Sequence, residues 1–435
     1  MDNIKKNYMN KITPAQIIAL GFIVVIFVGA IILMLPISEN EGVKVSFIDA
    51  LFTSTSAVCV TGLIAIDTAD TFNAFGCTVV ALLIQIGGLG VTSIGVGIII
   101  IVGRRVGFKQ RTLVKEAWNL GSFKGIVKLV RAVLIMTLCF ELLGAILSFL
   151  VFRQDYSTLD AIGISVFHSV AAFNNSGFDL LGNFRSLIPY QNNVLLNFTT
   201  IGLIIFGGLG FLVILDIMKS RSFKKLALHS KVVITTTVIL LVVGTLLLKF
   251  TEDITWMGAL FYSTSARTAG FNTYQIGGFT NAGLLVLTIL MFIGASPGST
   301  GGGIKTSTLF VIIQAIKSIV TNQHCESFKR TIPYDVIIKS FIVMILSLSL
   351  VLVGTFILCV LEPEYSLIQN LFEITSAFGT VGLSTGITPD LSTGSKSLLI
   401  LIMYIGRLGP LTIATLWFDR EKSSIHYSEE IVTIG

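Results

Sequence analysis

The chain has 435 residues, 53% of them hydrophobic and 12% charged, with a mean hydropathy of +0.87. An aqueous domain carries roughly 25% charged residues, so this composition excludes an ordinary soluble protein and describes a polytopic membrane protein. The net charge of +6 does not point to nucleic acid, because the basic residues lie in stretches between apolar spans. The cysteines, Cys59, Cys77, Cys139, Cys325 and Cys359, are scattered and mostly inside apolar runs, which implies neither a disulfide nor a zinc framework.

The N-terminus, MDNIKKNYMNKITPAQIIALGFIVVIFVGAIILML, sets basic residues before roughly twenty apolar ones, longer than a signal-peptide core and without a small-residue cleavage site. It reads as a first transmembrane helix that is retained. In chain order, apolar spans are predicted at 15–35, 74–102, 131–152, 193–217, 231–249, 281–318, 336–361 and 396–418. At 1.5 Å per residue each can cross a core of about 30 Å, which predicts eight full crossings. Between the two members of each pair lies a shorter, less apolar segment: 47–62, 160–177, 255–270 and 367–382.

Charge sets the orientation. The stretches joining one pair to the next, GRRVGFKQRTLVKEAW, KSRSFKKLALHSK and KSIVTNQHCESFKR, are basic, whereas SENEG, DTAD, FTED and LEPE within the pairs are acidic. Both termini and the inter-pair loops are therefore expected in the cytoplasm of a multi-pass cell-membrane protein.

The short segments repeat. They end LFTSTSAVCVTGL (51–63), VFHSVAAFNNSGF (166–178), LFYSTSARTAGF (260–271) and LFEITSAFGTVGL (371–383). Each has a glycine, Gly62, Gly177, Gly270 or Gly382, followed by Leu or Phe. Counting back without gaps, Phe52, Phe167, Leu260 and Phe372 align ten residues before the glycine, and Ala57, Ala172, Ser265 and Ala377 five before it. A second echo follows in the next span: QIGGLG (85–90), IFGGLG (205–210), FIGAS (292–296) and YIGRLG (404–409). The pattern predicts an all-α membrane protein of four repeats of helix, pore helix, filter loop and helix around one pseudo-fourfold pore. The boundaries are 1–102, 103–218, 219–320 and 321–435.

A helix too short to cross ends inside the membrane, where its last carbonyls lack intrahelical partners and survive only against protein or water. Four such ends around an axis make a ring of carbonyl dipoles, the ligand that a dehydrated alkali cation needs. The predicted filter residues are Val58, Cys59, Val60, Thr61 and Gly62; Phe173, Asn174, Asn175, Ser176 and Gly177; Ala266, Arg267, Thr268, Ala269 and Gly270; and Phe378, Gly379, Thr380, Val381 and Gly382. Only the last glycine is common to all four, which favours backbone over carboxylate coordination. Arg267 is expected to point away from the axis.

On these residues the chain resembles the Trk/Ktr/HKT superfamily of potassium transporters, and over its whole length is most similar to the membrane subunit of the bacterial Ktr system. The resemblance implies uptake of K+ as substrate, with K+ held at the filter, and Na+ stimulation in some members. It also implies a homodimer with the tail HYSEEIVTIG near the subunit contact, and a separate cytosolic ring subunit that binds nucleotide. The chain itself is expected to carry no cofactor and to bind no nucleic acid, its surroundings being membrane lipid. The filters keep only the first glycine of the channel pattern TVGYG, so fewer or less rigid cation sites are expected.

The glycine-rich stretch FIGASPGSTGGGIKTST (292–308) is close to a phosphate loop, but Ile304 intervenes between Gly303 and Lys305 and the preceding residues form a membrane helix rather than a strand. Close helix packing is a second explanation of its glycines. The favoured one is an unwound gate loop at 294–305 beneath the filter, since SPGSTGGG has almost no helix propensity. Gly294, Ser296, Pro297, Gly298, Ser299, Thr300, Gly301, Gly302, Gly303 and Lys305 build it, and this is expected to be the one broken span. Arg407, replacing the second glycine of the echo, is expected to pair with gate-loop carbonyls or to raise a barrier to cations, the alternative being that it snorkels to the cytoplasmic interface; for Lys305, closer to the cytoplasmic half, snorkelling and a role at the gate stand even. Glu373 is expected to anchor the fourth pore helix, Glu141 lies in an apolar helix, and His168 is expected to be structural.

No Ser/His/Asp, zinc or paired-carboxylate constellation marks an enzyme. A secondary transporter working by alternating access at broken helices is the second functional reading, which inverted repeats would favour and parallel ones do not.

Overall fold

The computed structural model describes residues 13–118, 123–416 and 430. The tail expected at a subunit contact lies, apart from Glu430, outside the described residues. In chain order the helices are α1 (Pro14–Leu33), α2 (Phe47–Val58), α3 (Ala74–Leu89), α4 (Val91–Ile101), α5 (Phe108–Ala117), α6 (Ile126–Phe152), α7 (Thr158–Phe173), α8 (Val194–Leu209), α9 (Phe211–Ser220), α10 (Leu228–Thr251), α11 (Trp256–Ser265), α12 (Asn281–Phe292), α13 (Thr306–Thr321), α14 (Tyr334–Leu361), α15 (Leu367–Gly379), α16 (Thr393–Leu408) and α17 (Pro410–Thr415). Short single turns join some of them, and a hairpin of β1 (Glu326–Ser327) and β2 (Arg330–Thr331) precedes α14.

α1, α6, α10 and α14, with 20, 27, 24 and 28 residues, are long and apolar enough to cross a membrane. In lipid such helices satisfy their own backbone groups and leave Leu, Ile and Val facing the acyl chains. α1 begins where Thr13 and Gln16 exchange side-chain and backbone hydrogen bonds and Pro14 fills the first turn, where no N–H is needed.

The second spans are not straight. α3 meets α4 at 100° and α8 meets α9 at 95°; counting each bent pair as one crossing brings the total by length and composition to six. Residues 293–305 separate α12 from α13, and Gly409 separates α16 from α17. The expectation of a single broken span is thus corrected: all four break. In three of them the cause is the last glycine of the echo. Gly90, Gly210 and Gly409 have φ of 84°, 91° and 90° with ψ of 135°, 138° and 136°, a conformation essentially reserved for residues without a Cβ.

The short helices α2, α7, α11 and α15 have 12, 16, 10 and 13 residues, about 15–24 Å, and fall short of a hydrocarbon core. Each starts at a hydroxyl: Ser46, Ser157, Thr255 and Ser366 accept from the amides of Asp49, Asp160, Gly258 and Gln369, meeting one of the donors that a helix start leaves unpaired. A glycine on each long helix admits the short one. A Cβ on Gly29, Gly144 or Gly244 would stand 2.5, 2.4 or 2.4 Å from the hydroxyl of Ser54, Ser169 or Ser263, and one on Gly354 would stand 3.1 Å from Ile374 Cγ2. At that distance Ser54 Oγ donates to Ile26 O (2.7 Å), Ser169 Oγ to Glu141 O (2.6 Å) and Ser263 Oγ to Leu241 O (2.9 Å). These glycines were not singled out from the sequence; their signal is a glycine in the C-terminal half of each long apolar helix.

Candidate ion-conducting site

The short helices deliver four segments to one place. Two residues before each final glycine stands a non-glycine in the left-handed region: Val60 (φ 57°), Asn175 (59°), Thr268 (77°) and Thr380 (49°). Gly62, Gly177, Gly270 and Gly382 follow at 85°, 68°, 81° and 92°. Left-handed geometry at a non-glycine costs of order 1–3 kcal/mol per residue and is held only where surroundings enforce it. Alternating handedness turns successive carbonyls toward one side of the chain, where an extended strand would alternate them.

The glycines close a ring. A Cβ on Gly62 would lie 2.1 Å from Ser176 O; on Gly177, 2.8 Å from Ala269 O; on Gly270, 2.3 Å from Val381 O; and on Gly382, 2.2 Å from Thr61 O. Each glycine therefore abuts the carbonyl that precedes the next glycine, and the fourth returns to the first. The segments are pinned from behind. Ser56 Oγ donates to Leu63 O (2.8 Å) and accepts from Gly62 N (3.0 Å), Ser265 Oγ donates to Phe271 O (2.7 Å), and Ser376 Oγ accepts from Gly382 N (3.0 Å).

These bonds correct the gapless alignment. In the first, second and fourth segments the amide before the glycine reaches back five residues (Thr61 to Ser56, Ser176 to Ala171, Val381 to Ser376), but in the third Ala269 reaches back four, to Ser265. The third segment is one residue shorter, so the buried counterpart of Phe52 and Phe372 is Phe261, not Leu260, and Ser265 matches Ser56. LFTSTSA and LFYSTSA, aligned from their first residues, carried that signal.

In three of the copies one glycine of the echo fits the following helix to the ring. A Cβ on Gly87, Gly207 or Gly406 would fall 2.0, 1.9 or 2.1 Å from the carbonyls of Val58, Phe173 or Phe378, the last residues or last turn of α2, α7 and α15. The echo glycines thus serve close approach, and only the final one serves the bend.

Residues 293–305 run directly against these segments. Gly302 N donates to Thr380 Oγ1 (2.9 Å), and Thr300 Oγ1 donates to Phe173 O (3.5 Å). Ser296 N and Thr300 N donate to the carbonyls of Gly208 (3.1 Å) and Gly207 (3.3 Å), and Phe211 N donates to Gly298 O (3.0 Å). A Cβ on Gly301 or Gly302 would meet Thr268 Oγ1 at 2.1 Å or Thr380 Oγ1 at 2.4 Å. Proximity to the ring, beyond flexibility, accounts for these two glycines. Both cations bond carbonyls here: Lys305 Nζ donates to Gly301 O (2.7 Å) and Gly302 O (3.3 Å), and Arg407 donates to Thr300 O and, in the neighbouring first repeat, to Gly87 O.

Arg267 sits behind its own segment, lining a small cavity with Ile204, Ile205, Gly208, Thr237 and Thr264. Glu373 is fully buried; Oε1 accepts from Ser384 Oγ (2.7 Å), Thr385 N (2.9 Å) and Thr385 Oγ1 (3.2 Å), and Oε2 from Thr388 Oγ1 (2.8 Å). It holds the chain that follows Gly382. Glu141 accepts from Asn174 Nδ2 (3.0 Å), and His168 Nε2 meets Thr200 Oγ1 (2.9 Å) between the rings of Phe152 and Phe271. Asp179, in the loop after α7 and outside the membrane-spanning helices, accepts from Leu181 N (3.0 Å). Burial pushes its carboxyl up to about 7, against that amide and with help from Asp67. Among the described residues no group of three His, Cys, Asp or Glu could hold a metal ion.

Apolar membrane-length helices around a buried backbone ring define a helical membrane protein of the transporter class. The model of the family described as "TrkH: Cation transport protein" matches residues 4–425, and the chain belongs to that family. It is 38% identical to the Ktr system potassium uptake protein B of Bacillus subtilis, over 98% of this chain and 97% of that protein. It is also 38% identical to the potassium/sodium uptake protein NtpJ of Enterococcus hirae, over the full length of both. The crystal structure of the potassium transporter TrkH from Vibrio parahaemolyticus superposes with a TM-score of 0.72 at 20% identity, covering 93% of this chain and 84% of that one, a likeness of fold.

Proposed function

We propose that this chain is the ion-translocating subunit of a potassium uptake system, conducting K+ through a backbone-carbonyl filter, with Na+ as a stimulating ion. The observation that carries the reading is the closed contact among Gly62, Gly177, Gly270 and Gly382, with the carbonyls of Thr61, Ser176, Ala269 and Val381 beside them. A desolvated monovalent cation is stabilised by such dipoles without any carboxylate. Residues 294–305 act as the gate, because their carbonyls and amides engage Thr380, Lys305 and Arg407 directly against the ring.

In this reading the units 1–102, 103–218, 219–320 and 321–435 supply eight crossings in a cell membrane, with both termini in the cytoplasm. The same reading takes over from the resemblance to the Ktr system a homodimer working with a cytosolic nucleotide-binding ring. The driving force is the membrane potential, about 2.3 kcal/mol per charge per 100 mV.

The test is rubidium tracer uptake by transport-deficient cells expressing this chain with its partner, compared with Gly270→Ser. Wild-type uptake that falls sharply in the variant supports the filter. Uptake indifferent to substitution at all four glycines sinks it.

A further inference from the structure

The segment from α4 to the start of α6 forms a platform of its own. Val96, Val106, Val114, Ile126 and Val130 close a small apolar cluster that ties α4, α5 and α6 together, and Arg104 N donates to Ile99 O (3.0 Å) to turn the chain between α4 and α5. α3 packs against the membrane-length helix α1, and the 100° bend at Gly90 sets α4 nearly perpendicular to α3, which turns α4 toward the plane of the bilayer. The outer side of the platform combines two chemistries. Ile98, Ile101, Val102 and Phe108 are 56%, 81%, 63% and 74% exposed, while Arg104, Arg105, Lys109, Arg111, Lys124 and Lys128 stand exposed around them. The one salt bridge among the described residues joins Lys396 to Asp49, so none of these six cations is paired with a carboxylate.

We propose that this platform binds anionic phospholipid headgroups of the cytoplasmic leaflet. Unpaired cations next to highly exposed isoleucines fit a surface that offers phosphate and acyl chain side by side; an acidic protein face would satisfy the cations and leave the isoleucines in water. The lipid holds α4 in the membrane plane and so stabilises the bend at Gly90, one helix away from the Gly87 carbonyl that receives Arg407.

Trp118, at the end of α5, serves as the reporter. The full chain, with its other two tryptophans replaced by Phe, is reconstituted in phosphatidylcholine carrying either brominated phosphatidylglycerol or brominated phosphatidylcholine, and fluorescence quenching is read. Stronger quenching by the glycerol lipid, weakening with salt, is expected. Combined Arg104→Gln, Arg105→Gln, Lys109→Gln and Arg111→Gln should reduce the preference, by roughly fivefold for each cation lost, while the charge-preserving Arg104→Lys, Arg105→Lys pair keeps it. Equal quenching by both lipids overturns the proposal, as does a preference that the four Gln substitutions leave unchanged, which would assign the cations to a protein partner.

Discussion

The guanidinium of Arg407, in the last turn of α16, donates to the carbonyl of Thr300 in the loop 293–305, and its other terminal nitrogen donates to Gly87 O and, at 3.4 Å, to Gly88 O. One side chain thus fastens the loop to the helix that follows the first filter segment. The expected pairing with gate-loop carbonyls is present at Thr300, while Gly87 O also accepts from Gly90 N (3.2 Å).

Arg407→Gln should raise rubidium flux through the open protein. A hydrogen bond to a charged group contributes about 1.5–3 kcal/mol, so losing it shifts a closed–open equilibrium by roughly tenfold or more. Deletion of residues 298–303 should raise flux further while the K+ over Na+ preference survives, because the four ring glycines and the carbonyls before them are retained. Tracer flux in proteoliposomes measures both, and unchanged flux in both variants would remove the gating role.

Gly382 and Gly386 both have positive φ, at 92° and 101°. A Cβ on Gly382 would stand 2.2 Å from Thr61 O, whereas one on Gly386 meets nothing within 4 Å. Gly386→Ala should therefore cost about 1 kcal/mol of backbone strain and leave uptake intact. Gly382→Ala should cut uptake by at least about tenfold, since the clash is with backbone and cannot be relieved by a rotamer change. Equal effects of the two substitutions on uptake would show that strain, and not the ring, matters.

Glu373→Ala should lower the temperature at which the detergent-solubilised protein loses monodispersity. Ser384, Thr385 and Thr388 would lose a common acceptor at a fully buried site, a loss of roughly 2–5 kcal/mol. Glu373→Gln keeps one acceptor oxygen and should cost less. A melting temperature unaffected by Glu373→Ala would mean that the loop after Gly382 is held by something else.

Asp179 gives a pH dependence of defined sign. Its folded pKa of about 7 lies above its ordinary value of 3.8, so between those values the folded protein holds a proton that the unfolded chain has released. Stability from this group therefore falls as pH rises from about 4 to about 7 and is lowest above 7. Asp179→Asn should flatten that slope and raise the melting temperature at pH 8 relative to the parent protein. A parent slope of the opposite sign across this window, unchanged in the variant, would refute the assignment.

Much of the plan was legible because membranes impose strong local rules. Apolar runs long enough to cross, acidic against basic loops and a glycine recurring after each short segment all follow from lipid excluding charge and unpaired backbone. The loop at 294–305 was legible for the same reason: proline and clustered glycines cannot continue a helix. What escaped was what depends on contact. The bends at Gly90, Gly210 and Gly409 looked like ordinary transmembrane glycine, which lipid tolerates. The one-residue deletion in the third segment was hidden because counting back from the glycine assumes equal loops, and only the hydrogen bond from Ala269 to Ser265 reveals the slip.

By itself the sequence determined that this chain lives in a membrane, that it is built on four related segments, and that each segment ends in a glycine. These are properties of composition and period, set by the cost of exposing polar groups to lipid. Only the tertiary structure decided why the glycines are needed. Gly62 and Ser176, or Gly382 and Thr61, are over a hundred residues apart in the chain, and no local propensity records that a carbonyl will stand where a methyl group would have to go.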